Sequence, residues 1–230
     1  MAINIAAIAV RRVRWQPAWR LIPSRYPAVG PWDRIADPAD FDALAQLEGL
    51  TNPRLRTNPG ALPGIPCERW LTGAGSTPVM AAFAHLNPEG SRFSDGRFGV
   101  FYASRALETA IRETVHHRER FLARTHEPPT VLQMRSYQCT IACALHDLRG
   151  GYPAVHDPDD YRASQRLALQ LRAQNSNGVV YDSVRHRGGQ CAALFWPDRV
   201  GPCRVGRHYA YHWDGSAIHD VVELRHVALE

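Results

Sequence analysis

The stretch TVLQMRSYQCTIACALHDL, residues 130–148, places Tyr137, Cys139, Ile141, Cys143 and Leu145 on one face by strict alternation. A period of two marks β structure, and the length reads as a long strand or a bent pair. Helical patterns lie on both sides of it. RALETAIRETVHHRERFLAR precedes it with Ser104 as a plausible N-cap, and DPDDYRASQRLALQLRAQNSNG follows, opened by Asp157–Pro158 and closed near Gly178. FGVFYAS reads as a strand before the first of these helices, and STPVMAAFAHL as a shorter helix further upstream, joined to it by a loop through Pro88, Gly90 and Gly96. VVYDSV and GQCAALFW are strands on either side of an HRGG turn, and HYAYHW is another before a DG turn. Strands and helices do not alternate as repeated βαβ units, so the expected fold class is α+β, a single mixed domain.

Residues 1–66 have a different texture. PSRYPAVGPWDRIADPADF and TNPRLRTNPGALPGIP are dense in proline and turn signals, and DPADFDALAQLEGL between them reads as a short helix with Asp37 as N-cap and Pro38 at its first position. Too few apolar residues are present for this region to fold alone. It is expected to be an N-terminal arm packed on a catalytic domain of residues 67–230, with the core motifs within 67–205.

Composition removes several classes. The 45% hydrophobic and 21% charged shares are those of an ordinary soluble globular protein. All 27 basic residues are arginine, so a phosphate loop of the G-x-x-x-x-G-K type is impossible. Phosphates, if bound, must be held by arginine forks or backbone amides. Five cysteines form no C-x-x-C pair and no zinc spacing, and Cys139 and Cys143 read as small core residues of a reduced protein. The opening MAINIAAIAV lacks the basic start of a signal peptide and is too short to span a bilayer, so a cytoplasmic location with no membrane partner is expected.

The helix after FGVFYAS carries the first hint of chemistry. On a helical wheel Leu107, Ile111, Thr114, the stem of Arg118 and Leu122 form the apolar stripe, while Glu108, Arg112 and Glu119 face solvent. Glu113 belongs to neither set. It lies at the stripe's margin near Ala106, Ala110 and His117, where small neighbours leave room for an approaching group. A boundary glutamate paired with a nearby arginine fits the same pattern. Tyr102 alone could be a half-buried strand tyrosine, and Arg92 alone a loop cation.

Together, RFSDGRFGVFYASRALETAIRE and GVVYDSVRHRGGQCAALFWP resemble the two motif blocks of the RES-domain family, the toxins of Xre/RES toxin–antitoxin systems. WRLIPSRYP in the arm is similar to the longer members. The resemblance implies a fold like that of ADP-ribosyltransferase toxins and NAD as the substrate. It implies that Arg92 grips the pyrophosphate, that Tyr102 stacks on the nicotinamide or its ribose, and that Glu113 binds the ribose hydroxyls and stabilises an oxocarbenium-like transition state. Ser183 would line the same pocket. Arg25 and Tyr26 would match a further arginine–tyrosine pair on the first strand, with Arg20 as the rival arginine. It also implies a cognate Xre-type antitoxin that covers the NAD cleft. The chemistry is consistent: an arginine fork suits phosphate oxygens, an aromatic face suits a cationic planar leaving group, and a fixed carboxylate gains most where positive charge develops.

The resemblance is silent on the acceptor of ADP-ribose. Trp15, Trp19, Arg20, Trp32, Arg34, Arg54 and Arg56 would give the arm a surface for docking a protein target. On that ground protein ADP-ribosylation is expected ahead of NAD glycohydrolysis or phosphorolysis. The eleven histidines lack an H-E-x-x-H pattern, and no metal is expected. Ser183 lacks the G-x-S-x-G elbow of a serine hydrolase. RRVRW permits nucleic-acid binding, but an arginine surplus on a small domain is usually a solvated face, so a nucleic-acid-binding or RNA-cleaving toxin is a remote alternative.

Overall fold

The computed structural model describes residues 3–26, 64–225 and 227. Seven strands form one sheet: β1 (Val10–Pro23), β2 (Phe101–Ser104), β3 (Thr130–Asp147), β4 (Gly178–Asp182), β5 (Gln190–Leu194), β6 (Arg204–Trp213) and β7 (Ile218–Leu224). Their order is β1-β2-β5-β4-β3-β6-β7, and β1 also pairs with β3, so β1, β2, β5, β4 and β3 close a ring. Among the described residues, three α-helices accompany the sheet: α1 (Thr77–Ala84), α2 (Leu107–Arg124) and α3 (Arg162–Ala173). The architecture is a single mixed α+β domain. All pairings are antiparallel except β3–β4, which is the one place where a helix, α3, makes the crossover.

The alternating stretch is one continuous strand, β3, and its face of Tyr137, Cys139, Ile141, Cys143 and Leu145 is buried throughout. It packs with Val13, Trp15 and Ala18 of β1, Phe101 and Ala103 of β2, Val180, Ala192 and Leu194, and with Val79, Met80 and Phe83 of α1. The opposite face of the sheet is shared by two helices. Met134, Leu21, Tyr209 and Tyr211 meet Ala110 and Leu122 of α2, whereas Val179, Tyr181, Ala193 and Phe195 meet Leu167, Ala168 and Leu171 of α3. Each fully buried aromatic here contributes about 2–3 kcal/mol of transfer free energy.

Several expectations change. Residues 10–23 of the expected arm are a strand of the sheet, bonded to β3 from Val10↔His146 to Pro23↔Met134. The register shifts between Trp15 and Ala18, around Pro17, which has no N–H to donate. Trp15 and Ala18 are core residues, not surface. The helix proposed at Asp37–Pro38 lies outside the described residues. Ser104 does not cap α2; it ends β2 opposite Cys191, and the extended Ala106 stands at the N-cap without a side-chain bond. Asp157–Pro158 does not open α3, which starts at Arg162; Asp157 Oδ1 instead accepts the amides of Asp159 and Asp160 in a separate turn. β7 is a strand that the sequence pattern conceals, because this sheet edge buries only Ile218 fully. Among the described residues, no helix is long and apolar enough to cross a membrane.

Candidate active site

Ser183 follows β4 and opens a tight turn to β5. Its amide donates to the carbonyl of Gly189 at 2.8 Å, and its Oγ accepts the amides of Arg185 (3.2 Å) and His186 (3.0 Å). The hydroxyl hydrogen is thereby aimed outward, and it donates to Oε1 of Glu113 at 2.6 Å. The turn is pressed onto the start of α2. A Cβ on Gly189 would stand 2.7 Å from the Thr109 side chain, and Thr109 Oγ1 is hydrogen-bonded to His186 Nδ1 at 2.9 Å. Glu113 is half-buried at the margin of α2. Cys191, at the start of β5, lies under the same oxygen at 3.9 Å; burial, and then the charge of Glu113, push its thiol up to about 12, so it remains a weak S–H donor.

Tyr102 leans from β2 toward the cluster of Phe93, Tyr181 and α3. Its Oη is bonded to Ser91 Oγ at 2.8 Å and accepts the amide of Phe93 at 2.9 Å, and burial pushes the phenol up to about 12. The phenol is therefore a neutral clamp on the loop that carries Arg92. Arg92 is 9% exposed. Its Nη1 donates to the carbonyls of Val155 (2.9 Å) and Asp157 (2.7 Å), and its Cζ lies 4.5 Å over the ring of Tyr161. Gln165 of α3 ties the same loop by donating to the carbonyls of Ser91 and Ser94. The ring of Phe93, next to Arg92, packs edge-on against Tyr181 of β4 at 4.9 Å, which ties the Arg92 loop to the strand that leads into Ser183.

The arginines assigned to the first strand fall in different places. Arg20 shares the sheet face of Ala18; its guanidinium lies 4.7 Å over Phe101 and donates to the carbonyl of Tyr102 at 3.0 Å. Its side chain is thus across the sheet from the Tyr102 ring, and burial lowers its pKa. Arg25 and Tyr26 are exposed just beyond β1, stacked on each other at 5.2 Å, and lie beside Arg118 in the later turns of α2. Among the hydrogen bonds of the described residues, none joins either to Glu113 or Ser183.

Two residues of the cleft escape the sequence reading. His116, one turn beyond Glu113, has a buried Nε2 with no hydrogen-bond partner among the described residues, and burial followed by the charges of Arg185 and Arg120 holds its imidazole down to about 4. The wheel points to His117 instead, which is exposed. Arg185 donates through Nη2 to the carbonyl of Pro158 in a short hydrogen bond. The signal available in sequence was the arginine pair in SVRHRGG directly after Ser183. An open groove of about 360 Å³ adjoins Ser183, lined by Gly150, Gly151, Pro153, His156, Asp182 and Val184. Among the described residues no group of three or more His, Cys, Asp or Glu is placed to hold a metal ion.

The site thus consists of a strand-end serine that donates to a carboxylate on the margin of α2, with Arg92 and Arg185 bonded to carbonyls of one loop, on a mixed α+β domain. Sequence comparison gives the family. The RES domain model matches residues 66–214. The Uncharacterized protein y4oC of Sinorhizobium fredii (strain NBRC 101917 / NGR234) is 31% identical over 207 residues, covering 87% of this chain and 84% of that relative. The chain belongs to the RES-domain family. Among solved structures, one chain of the crystal structure of the M.tuberculosis MbcT-MbcA toxin-antitoxin complex aligns over 93% of this chain and 86% of its own, at TM-score 0.47 and 11% identity. β1 precedes the family match but is integral to the sheet.

Proposed function

We propose that this protein is the toxin of a toxin–antitoxin module and that it cleaves the nicotinamide–ribose bond of NAD. The observation that carries the reading is the Ser183–Glu113 hydrogen bond at 2.6 Å, which fixes the orientation of a half-buried carboxylate. In the reaction the bond from ribose C1′ to the nicotinamide nitrogen breaks, and both electrons leave with neutral nicotinamide. The ribose becomes oxocarbenium-like, and the Glu113 charge opposes that developing charge more strongly than it opposes anything in the ground state. Ser183 holds the carboxylate in one orientation, so little reorganisation is required at the moment of bond breaking. Membership of the RES-domain family supports the same chemistry.

Of the residues expected to form a docking surface, Trp15 is a core residue, Trp19 packs under α2, and Arg20 faces the sheet interior, while Trp32, Arg34, Arg54 and Arg56 lie outside the described residues. We adopt NAD degradation by a small acceptor as the leading reading and transfer to a protein side chain as the second. Water or phosphate adds its oxygen to C1′, and water releases a proton as it does so. A cytoplasmic location and an Xre-type antitoxin seated over the cleft complete the proposal. The experiment is incubation of the purified protein with labelled NAD. Stoichiometric nicotinamide with free ADP-ribose, or its 1″-phosphate, is the expected result; labelled protein bands in a lysate would restore ADP-ribosylation, and intact NAD would end the proposal. Co-purified antitoxin with undiminished NAD cleavage would rule out occlusion.

A further inference from the structure

A diphosphate presents two charged groups, and one guanidinium fork cannot pair both. Arg92 has less than a full fork to offer, because its Nη1 already holds the carbonyls of Val155 and Asp157. Arg185 holds the next carbonyl of that same segment, that of Pro158. Its backbone amide bonds Ser183 Oγ, and Ser183 bonds Glu113, so this arginine is fixed relative to the carboxylate through a single side chain. The Nε2 of His116, one turn beyond Glu113, is buried without a hydrogen-bond partner among the described residues. Among the described residues, neither Arg92, Arg120 nor Arg185 has a carboxylate within ion-pair distance. Guanidiniums bonded to adjacent carbonyls of one loop repel each other unless an anion joins them.

We infer that Arg185 is a specificity-determining residue that, with Arg92, holds the diphosphate of the dinucleotide while Glu113 acts on the ribose. This rests on the NAD reading for the identity of the substrate. The same forks could instead take free inorganic phosphate, and the test separates the two sources. Because Arg185 contacts the phosphates and not the reacting carbon, its loss weakens binding equally in ground and transition states.

The experiment compares wild type, Arg185→Ala and Arg185→Lys in two readouts. In NAD turnover, Arg185→Ala is expected to raise KM roughly 10- to 100-fold, the loss typical of charge-assisted hydrogen bonds, with kcat within about threefold. In calorimetry with ADP-ribose, which keeps the diphosphate and lacks nicotinamide, the dissociation constant should rise by a similar factor. Arg185→Lys should recover part of the affinity, since it restores the charge but not the fork. An unchanged ADP-ribose affinity in Arg185→Ala overturns the inference. So does a fall in kcat at constant KM, or an effect seen only in competition by inorganic phosphate. Arg185-dependent ADP-ribose binding in a protein that leaves NAD intact would sustain this inference while removing the proposed reaction.

Discussion

The hydroxyl of Ser183 reaches Oε1 of Glu113 at 2.6 Å across 70 positions of the chain. Oγ accepts two turn amides on its other side, so Ser183 has one direction in which to donate and Glu113 has one oxygen to receive it. Among the described residues, the carboxylate is oriented by a saturated hydroxyl, and no cation lies within ion-pair distance of it.

Glu113→Gln should lower kcat for NAD cleavage by about 10²–10³-fold and leave NAD affinity within roughly tenfold. The amide oxygen can still accept from Ser183, so the shape persists while the charge is gone. Steady-state kinetics beside a calorimetric NAD titration check both halves. Wild-type turnover in the variant would refute the assignment of Glu113.

Arg92→Ala should damage the fold as well as binding. It strands two carbonyls that share a charged donor and removes the guanidinium from the Tyr161 ring, at a cost of about 3 kcal/mol. Denaturant unfolding should register that loss together with a raised KM for NAD. A variant as stable as wild type would mean that the carbonyl contacts carry no weight.

His116 makes stability depend on pH. Its folded-state pKa, about 4, lies below the ordinary 6.5, chiefly through burial and then through the nearby Arg185 and Arg120. In the window between those values the unfolded chain binds the proton and the native state does not, so stability falls as pH drops through it. His116→Gln should flatten this decline, measured as the unfolding midpoint at several pH values. Identical profiles would show that the imidazole is freely solvated.

Thiol chemistry should report the packing directly. Cys67 is exposed, whereas Cys139, Cys143, Cys191 and Cys203 are free and buried. Burial pushes Cys143 up to about 11 and Cys191 up to about 12, which suppresses their thiolates. A thiol-reactive dye should therefore label one site rapidly in the native protein and all five in denaturant. Substituting Cys67 by serine should abolish the rapid phase.

What the sequence determined by itself was local. Alternation from Tyr137 to Leu145 specified a strand buried on one face, and the wheel set Glu113 apart at the margin of α2, because both patterns depend only on the chain's own period. Glu108 and Arg112 met as an i,i+4 pair at 3.8 Å for the same reason. Tertiary structure decided the rest. VRRVRWQPAWRLIP mixes exposed arginines with buried tryptophan, and it becomes the strand β1 only because β3 supplies a partner along its length. Arg20 and Tyr102 are separated by the sheet that joins them, a division made by pleat direction after the Trp15/Ala18 irregularity. The meeting of Ser183 with Glu113 required a turn pressed against α2 where Gly189 leaves no room for a Cβ. Spacing along a chain specifies which side chains share a face; only packing specifies which faces meet.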